Sequence, residues 1–384
     1  TLESKLRDDN VDHENLEAYE PRFNKIANLT TECWDLLTYE DGQKEILLIS
    51  SNTGIYQIEG GNLSQIVKYD TWKMCRSKID PSRVYLGTAK GLASIYYSNG
   101  EWIDEGMIDG VEGEILNIYE DNQENLWLSN GEDVLYKMKI VAFKNDKIDE
   151  IELTTLDSTS GIPMGHISMQ SVKNKMLFAS EGVYTYDVVS DKFVASDVLG
   201  DKFMGVDYGV HRMSIDPSGK VWMVAYRSSD NKIDIGYFDP EGMEGDEQHP
   251  SWVKTPFMGI SSDIKHAIFH DDDGVTWLGG PEGLFRYDSK VDKDYKQTYY
   301  SLIRKVTVGV DSVVFWGAHY DNDGNVALKQ HAAHVPTLPY DLNSIEFEFA
   351  ASNFPTGSTV RFSYFLEGFD KSWSDWNDEA KKEY

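Results

Sequence analysis

The stretch Val275-Thr276-Trp277-Leu278-Gly279-Gly280-Pro281-Glu282-Gly283-Leu284-Phe285-Arg286-Tyr287 reads as two short strands, rich in β-branched and aromatic residues, around a glycine-containing turn. Val84-Tyr85-Leu86-Gly87-Thr88-Ala89-Lys90-Gly91-Leu92 repeats its first half closely. Four weaker copies lie at Ile46–Ile58, Leu126–Met138, Met176–Val188 and Val221–Phe238. The copies recur every ~40–55 residues, the period of a propeller blade rather than of a helical solenoid. A four-stranded blade cannot bury both its faces alone, so such repeats stack on one another.

Each repeat is expected to begin with an inner strand, such as Ile115-Leu116-Asn117-Ile118-Tyr119, followed by an acidic turn, Glu120–Asn125. Then come the strand of Trp127, the strand of Tyr136 and an outer strand. Asp80-Pro81-Ser82, Asp216-Pro217-Ser218-Gly219 and Asp271-Asp272-Asp273-Gly274 are further turns of this kind. Their residues bond their own backbone or tolerate positive φ. After about Ser301 the pattern changes to alternating strands, Ile303–Val308, Ser344–Phe349 and Val360–Leu366, as in a small β-sandwich. The expected architecture is all-β: a six- or seven-bladed β-propeller over residues 31–300, then a partial immunoglobulin-like sandwich over 301–384. Residues 1–30, polar and without period, read as a linker or the end of an upstream domain.

Composition narrows the function. The chain of 384 residues carries a formal net charge of −29, which disfavours direct binding to nucleic acid or to anionic lipid. No run of ~18 apolar residues is present to span a membrane. Thr1-Leu2-Glu3-Ser4-Lys5 is not a signal peptide and there is no initiator Met, so the chain reads as a fragment or a mature segment. Two cysteines, Cys33 and Cys75, are read as separate thiols in strands rather than a bridge. Nucleophile elbow, zinc-protease, P-loop and dinucleotide signatures are absent, and no cofactor or metal is expected.

The repeats resemble those of the two-component-regulator propeller family: an acidic turn, a Trp, Ile/Leu-Gly-Thr, then Gly-Leu and an aromatic. Asp273–Tyr287 and Arg83–Leu92 match this pattern well, whereas Leu126-Trp127-Leu128-Ser129 lacks the Gly-Leu. Phe362-Ser363-Tyr364-Phe365-Leu366-Glu367-Gly368-Phe369-Asp370-Lys371-Ser372-Trp373 resembles the three-tyrosine (Y_Y_Y) domain that follows such propellers. Tyr364 matches its first tyrosine, Tyr384 its second, and Trp376 the aromatic before the second. The resemblance covers about Thr31 to Tyr384. It implies the periplasmic sensing region of a membrane-bound receptor, commonly with histidine-kinase output outside this chain. It further implies a ligand from polysaccharide breakdown and a homodimer through the sandwich. A propeller lyase or glycosidase and a protein-binding propeller are the alternatives.

Trp127, Trp222 and Trp277 occupy one place in their repeats, which points to packing. Asp272-x-Gly274-x-Thr276-Trp277 is close to an Asp-box, a folding element, with His270 where that motif prefers Ser. Tyr364 and Trp373 are expected in the sandwich core. Candidate ligand contacts lie at one end of the inner strands. His211 and His266 stand five residues before Asp216 and Asp271, and His166 opens a corresponding strand. Three imidazoles could bond a sugar or carboxylate, bind a metal, or serve separate structural roles. Trp72, Lys73 and Tyr208 are expected in loops before inner strands, and Arg227 and Asp230 in the long hairpin Tyr226–Lys232. Aromatic faces beside polar groups suit a sugar, although each residue could equally be a solvated loop residue.

Overall fold

The computed structural model describes residues 25–384 except 43, 133, 145–146, 164, 206, 230–231, 240–251, 259, 261–266, 282, 292–297, 322, 328–329 and 353–359. The chain is all-β, and its first part is a succession of up-and-down antiparallel sheets of propeller-blade type. Sheet one holds β1 (Cys33–Asp41), β2 (Lys44–Ser51), β3 (Gly54–Glu59) and β4 (Asn62–Val67) in sequence order. Sheet two holds β5 (Thr71–Arg76), β6 (Arg83–Thr88), β7 (Gly91–Ser98) and β8 (Glu101–Glu112). Sheet three holds β9 (Asn117–Glu120), β10 (Asn125–Ser129), β11 (Leu135–Lys144) and β12 (Lys147–Leu156). Sheet four holds β13 (Ser168–Val172), β14 (Lys175–Ser180), β15 (Gly182–Asp187) and β16 (Lys192–Ala195). Sheet five holds β17 (Tyr208–Ile215), β18 (Val221–Arg227), β19 (Ile233–Phe238) and β20 (Trp252–Val253). Sheet six shows β21 (Ala267–His270), β22 (Val275–Gly280) and β23 (Gly283–Asp288). Every sequence copy is thus the hairpin of its sheet's second and third strands.

Two compact units divide the chain, one of Thr1–Met176 with Tyr186–Phe193, the other of Leu177–Thr185 with Val194–Tyr384. The division falls within sheet four. In the first unit the leading strands of successive sheets are neighbours: β1 beside β5, β5 beside β9, and β9 beside β13. Alternation explains why the middle strands read as nearly continuous apolar runs. On β6, Val84 and Leu86 join a core with Leu48 and Ile55 of sheet one. Tyr85, between them, joins a second core with Leu126, Leu128 and Met138 of sheet three. Both faces of sheet two are buried, as a period of two requires when a sheet lies between two others. Gly87 belongs to this close approach: a Cβ there would stand 2.4 Å from the Ile115 carbonyl oxygen. In the second unit Trp222, Val224, Ile235, Phe257 and Leu278 form the equivalent core between sheets five and six.

The acidic turns are built by side chains. Asp121 accepts from the amides of Gln123 (2.8 Å) and Asn125 (2.9 Å) and from the Trp127 indole (2.8 Å). Asp216 accepts from the amides of Ser218 (2.9 Å) and Lys220 (3.0 Å) and from the Trp222 indole (2.8 Å). Burial pushes both carboxyls up, but these hydrogen bonds outweigh it and hold both below the usual carboxylate range. In sheet six the turn carboxylate is Asp271, not the Asp272 expected from the Asp-box spacing: Asp271 accepts from Asp273 (3.0 Å) and Val275 (2.9 Å). The register decides this, because Asp271 precedes Trp277 by the same interval as Asp121 and Asp216 precede Trp127 and Trp222. Cys33 and Cys75 are free thiols in β1 and β5. Burial pushes the Cys75 thiol up to about 11.

The C-terminal part forms a separate four-stranded sheet. Its leading strands are β24 (Ser301–Val308) and β25 (Ser312–Trp316), followed by a short hairpin of β26 (His319–Tyr320) and β27 (Val326–Ala327). With β28 (Ile345–Ala351) and β29 (Lys381–Glu383) the sheet order is β25-β24-β28-β29. Residues 360–366 do not make the strand expected of them; Phe362 forms an isolated bridge to Asn377. Tyr364 is half-buried and stacks on Phe349 at 6.1 Å. Tyr384 donates to Asp370 (2.8 Å) and packs edge-on against Phe369. Trp373 does not enter a core. It is 67% exposed beside Phe365, and Trp376 is equally exposed, because the segment that carries them pairs with no strand among the described residues.

The turn chemistry predicts unequal costs. Asp216→Ala leaves a buried indole donor and two amides without their acceptor and should cost about 1–3 kcal/mol. Asp272→Ala, at an exposed position, should stay within about 0.5 kcal/mol. Urea denaturation of the two variants distinguishes them, and equal losses would reject the assignment of the turn carboxylates.

Candidate ligand-binding site

In the first unit the candidate residues gather at the leading ends of the first strands. Asp35 is paired with Ser50 in sheet one and Lys73 with Gly87 in sheet two. Asn117 is paired with Ser129 in sheet three. These are equivalent rungs, since Ser50, Gly87 and Ser129 occupy one place in the repeat. Just before that rung the ladder slips by one residue in β1 and again in β5, leaving Trp34 and Trp72 as the extra residues of two β-bulges. A bulge re-aims the unpaired side chain and sharpens the local twist. Trp72 and Lys73 therefore lie inside a strand rather than in the loop expected before it.

The two bulge indoles meet, with ring centroids 4.5 Å apart and planes tilted by 48°. Trp34 is 45% exposed, so one indole presents a face to solvent while the other backs it. The Trp72 Nε1–H is buried and has no acceptor among the described residues. Beside the indoles, Lys73 pairs with Asp35 at 2.8 Å, and Asp35 also accepts from the Met74 amide at 3.0 Å. The Asn117 amide nitrogen lies 3.4 Å from His166 Nε2. An aromatic face thus stands next to an ion pair, a set that offers both stacking and hydrogen bonds, and the amide–imidazole pair occupies the equivalent rung of sheet three.

The second unit carries its own cluster. Tyr208 opens β17 and is paired in register with Arg227 on β18. The Arg227 Nε–H donates to the Tyr208 hydroxyl at 3.2 Å, and Lys202 Nζ stands 4.1 Å from the Tyr208 ring centre. His211 is the extra residue of a third bulge, between Val210 and Arg212. His166 and His211 belong to different units, and His266 and Asp230 lie outside the described residues. Trp127 and Trp222 are buried packing residues, whereas Trp277 is half-buried. Trp34, Asp35, Asn117 and Lys202 are additions from the structure. The Thr71-Trp72-Lys73 and Cys33-Trp34-Asp35 triplets would have betrayed Trp34 had the first strands been aligned with each other.

At the other end of sheets five and six, over the acidic turns, lies a cavity of about 280 Å³ walled by Trp222, Tyr237, His270 and Tyr287. His270 Nε2 lies 2.9 Å from Ser214 Oγ, and its Nδ1 2.9 Å from Thr276 Oγ1. Its ring stands 5.4 Å from that of Trp222. Burial lowers the His270 pKa, against the opposing charges of Asp216 and Asp271.

No protein-family model and no curated protein matches the sequence. Among solved structures, similarity is found to the assigned extracellular domain of a hybrid two-component system from B. thetaiotaomicron. The TM-score is 0.42 and the identity 13%, over 92% of this chain and 53% of that one. This chain therefore spans about half the length of that domain. Virginiamycin B lyase from Staphylococcus aureus is similar with a TM-score of 0.43 and 12% identity, over 70% of this chain and 88% of that one. YCF48 from Cyanidioschyzon merolae has a TM-score of 0.43 and 12% identity, over 69% of this chain and 84% of that one.

His270 makes stability pH-dependent with a defined sign. Its folded pKa lies below the unfolded value of about 6.5, so between the two the unfolded chain binds more protons. The contribution is complete above about pH 6.5 and is lost as pH falls toward the folded pKa. Melting temperatures measured between pH 7 and 5 should fall more steeply for the wild type than for His270→Gln. Parallel curves would refute the linkage.

Proposed function

We propose that this chain is the ligand-sensing region of an extracytoplasmic, membrane-bound signalling receptor. In this reading it binds a carbohydrate over the Trp34–Trp72 face of the first unit. The observation that carries the ligand class is the bulge pair itself: an indole face, half open to solvent, beside the Asp35–Lys73 ion pair of the next rung. A sugar ring presents an apolar face and a rim of hydroxyls, so stacking and hydrogen bonding are satisfied together. Because Lys73 is paired with Asp35, the site carries no strong excess of positive charge, which suits a neutral sugar better than a polyanionic one.

The signalling half of the reading rests on the repeats and on the Tyr364–Trp373 segment, which resemble the sensor regions of two-component regulators and their three-tyrosine domain. It places the chain in the periplasm, with a homodimer formed through the C-terminal sheet and a kinase as output. Binding would transmit a signal only if the ligand prefers one of two arrangements of the receptor.

The test is calorimetric titration of an oligosaccharide panel into the wild-type chain, Trp34→Ala and Trp72→Ala, with mass spectrometry of each sugar afterwards. At least one sugar should bind and remain intact. Each variant should weaken it about tenfold, or roughly 1.4 kcal/mol. Unchanged affinity in both variants would remove the site, and cleavage of the sugar would make the chain an enzyme.

A further inference from the structure

The C-terminal sheet carries a cavity that the sensing site does not use. It measures about 370 Å³ and lies between the edge strand β25 and the turn that follows the β26–β27 hairpin, wholly within the second unit. Three imidazoles line it: His319, His331 and His334. His331 and His334 are three residues apart across a 3₁₀ turn, closed by the His334 amide donating to the His331 carbonyl at 2.8 Å. In a 3₁₀ turn residues i and i+3 eclipse, so both rings stand on one side of the backbone. Their centroids are 5.7 Å apart. Gln330 clasps the turn by donating to the His334 carbonyl at 3.1 Å. His319 reaches the cavity from the hairpin, its ring packed 4.8 Å from Phe315.

We propose that this cavity binds a divalent first-row transition ion such as Zn²⁺, Ni²⁺ or Cu²⁺, chelated by His331 and His334 and completed by His319. Imidazole nitrogens select these ions over Mg²⁺ and Ca²⁺, which take oxygen ligands. Two imidazoles bound to one tetrahedral ion at about 2.0–2.1 Å have ring centres roughly 5 Å apart, close to the spacing already present. The Asp321 carboxylate, on the same wall, is engaged by the amides of Asp323 and Asn325 and acts only through its charge. As the side chains stand, no three metal-ligating groups among the described residues are gathered around one point. The chelating pair therefore captures the ion, and His319 closes on it by a change of rotamer.

Competition of the chain against a chromophoric chelator at pH 7.5 tests this. One equivalent of Zn²⁺ or Ni²⁺ should bind, with a dissociation constant on the order of micromolar. His331→Ala and His334→Ala should each weaken it about tenfold or more, and His319→Ala should weaken it less. Mg²⁺ and Ca²⁺ should not compete. An electron paramagnetic resonance spectrum of the Cu²⁺-loaded wild type should show nitrogen superhyperfine splitting, whatever the folding of the variants. Wild-type affinity in the folded His331→Ala/His334→Ala double variant, or a Cu²⁺ spectrum without nitrogen ligands, would overturn the proposal.

Discussion

Burial of both faces of the second strand, seen in full on β6 and β10 and over most of β18, is the constraint on which the rest of this molecule depends. Val84 and Leu86 look one way into sheet one, and Tyr85 looks the other way into sheet three. A sheet made like this has no solvent face to spare, so it is stable only between neighbours. The same demand explains Gly87, whose missing side chain admits the Ile115 carbonyl, and the scarcity of polar residues on β6, β10 and β18. With the faces committed to packing, only strand ends and turns are left to carry chemistry.

One class of strand end is held by a carboxylate that ties its turn to the next strand. Asp121 and Asp216 each bind two backbone amides and the indole of a Trp on the second strand, so one side chain fixes turn shape and core packing together. Sheet two reaches a comparable end with different parts. The Arg83 side chain is buried and holds Asp80 at 2.6 Å and Glu105 at 3.0 Å, joining the turn to β8 through an ion-paired network. A buried Arg is tolerable here because both its neighbours are acidic.

The other class of strand end carries the candidate site. How far it was legible depended on what the local pattern could show. Trp72, Lys73, Tyr208 and Arg227 stood out as aromatic and polar residues beside the first strands. For Trp72 and Lys73 the placement before the strand was an error of register, because a β-bulge inserts a residue that strict alternation reads as the strand's end. Trp34 went unnoticed for the same reason. Its partnership with Trp72 is a contact between two sheets, and neither residue's neighbours announce it. Trp373 shows the converse. An aromatic residue in a family-like segment suggested a core, yet it is exposed because nothing in the described sheet faces it.

The sequence alone determined the all-β class, the repeat length, the hairpin at the centre of each sheet and the change of pattern near Ser301, because these follow from short-range alternation and turn chemistry. The tertiary structure alone decided where the ladders slip, and that Trp34 meets Trp72 while Asp35 meets Lys73. It also decided that His319, His331 and His334 line one cavity. Such encounters join residues far apart along the chain, and their geometry is set by how sheets and turns pack, which no local period encodes.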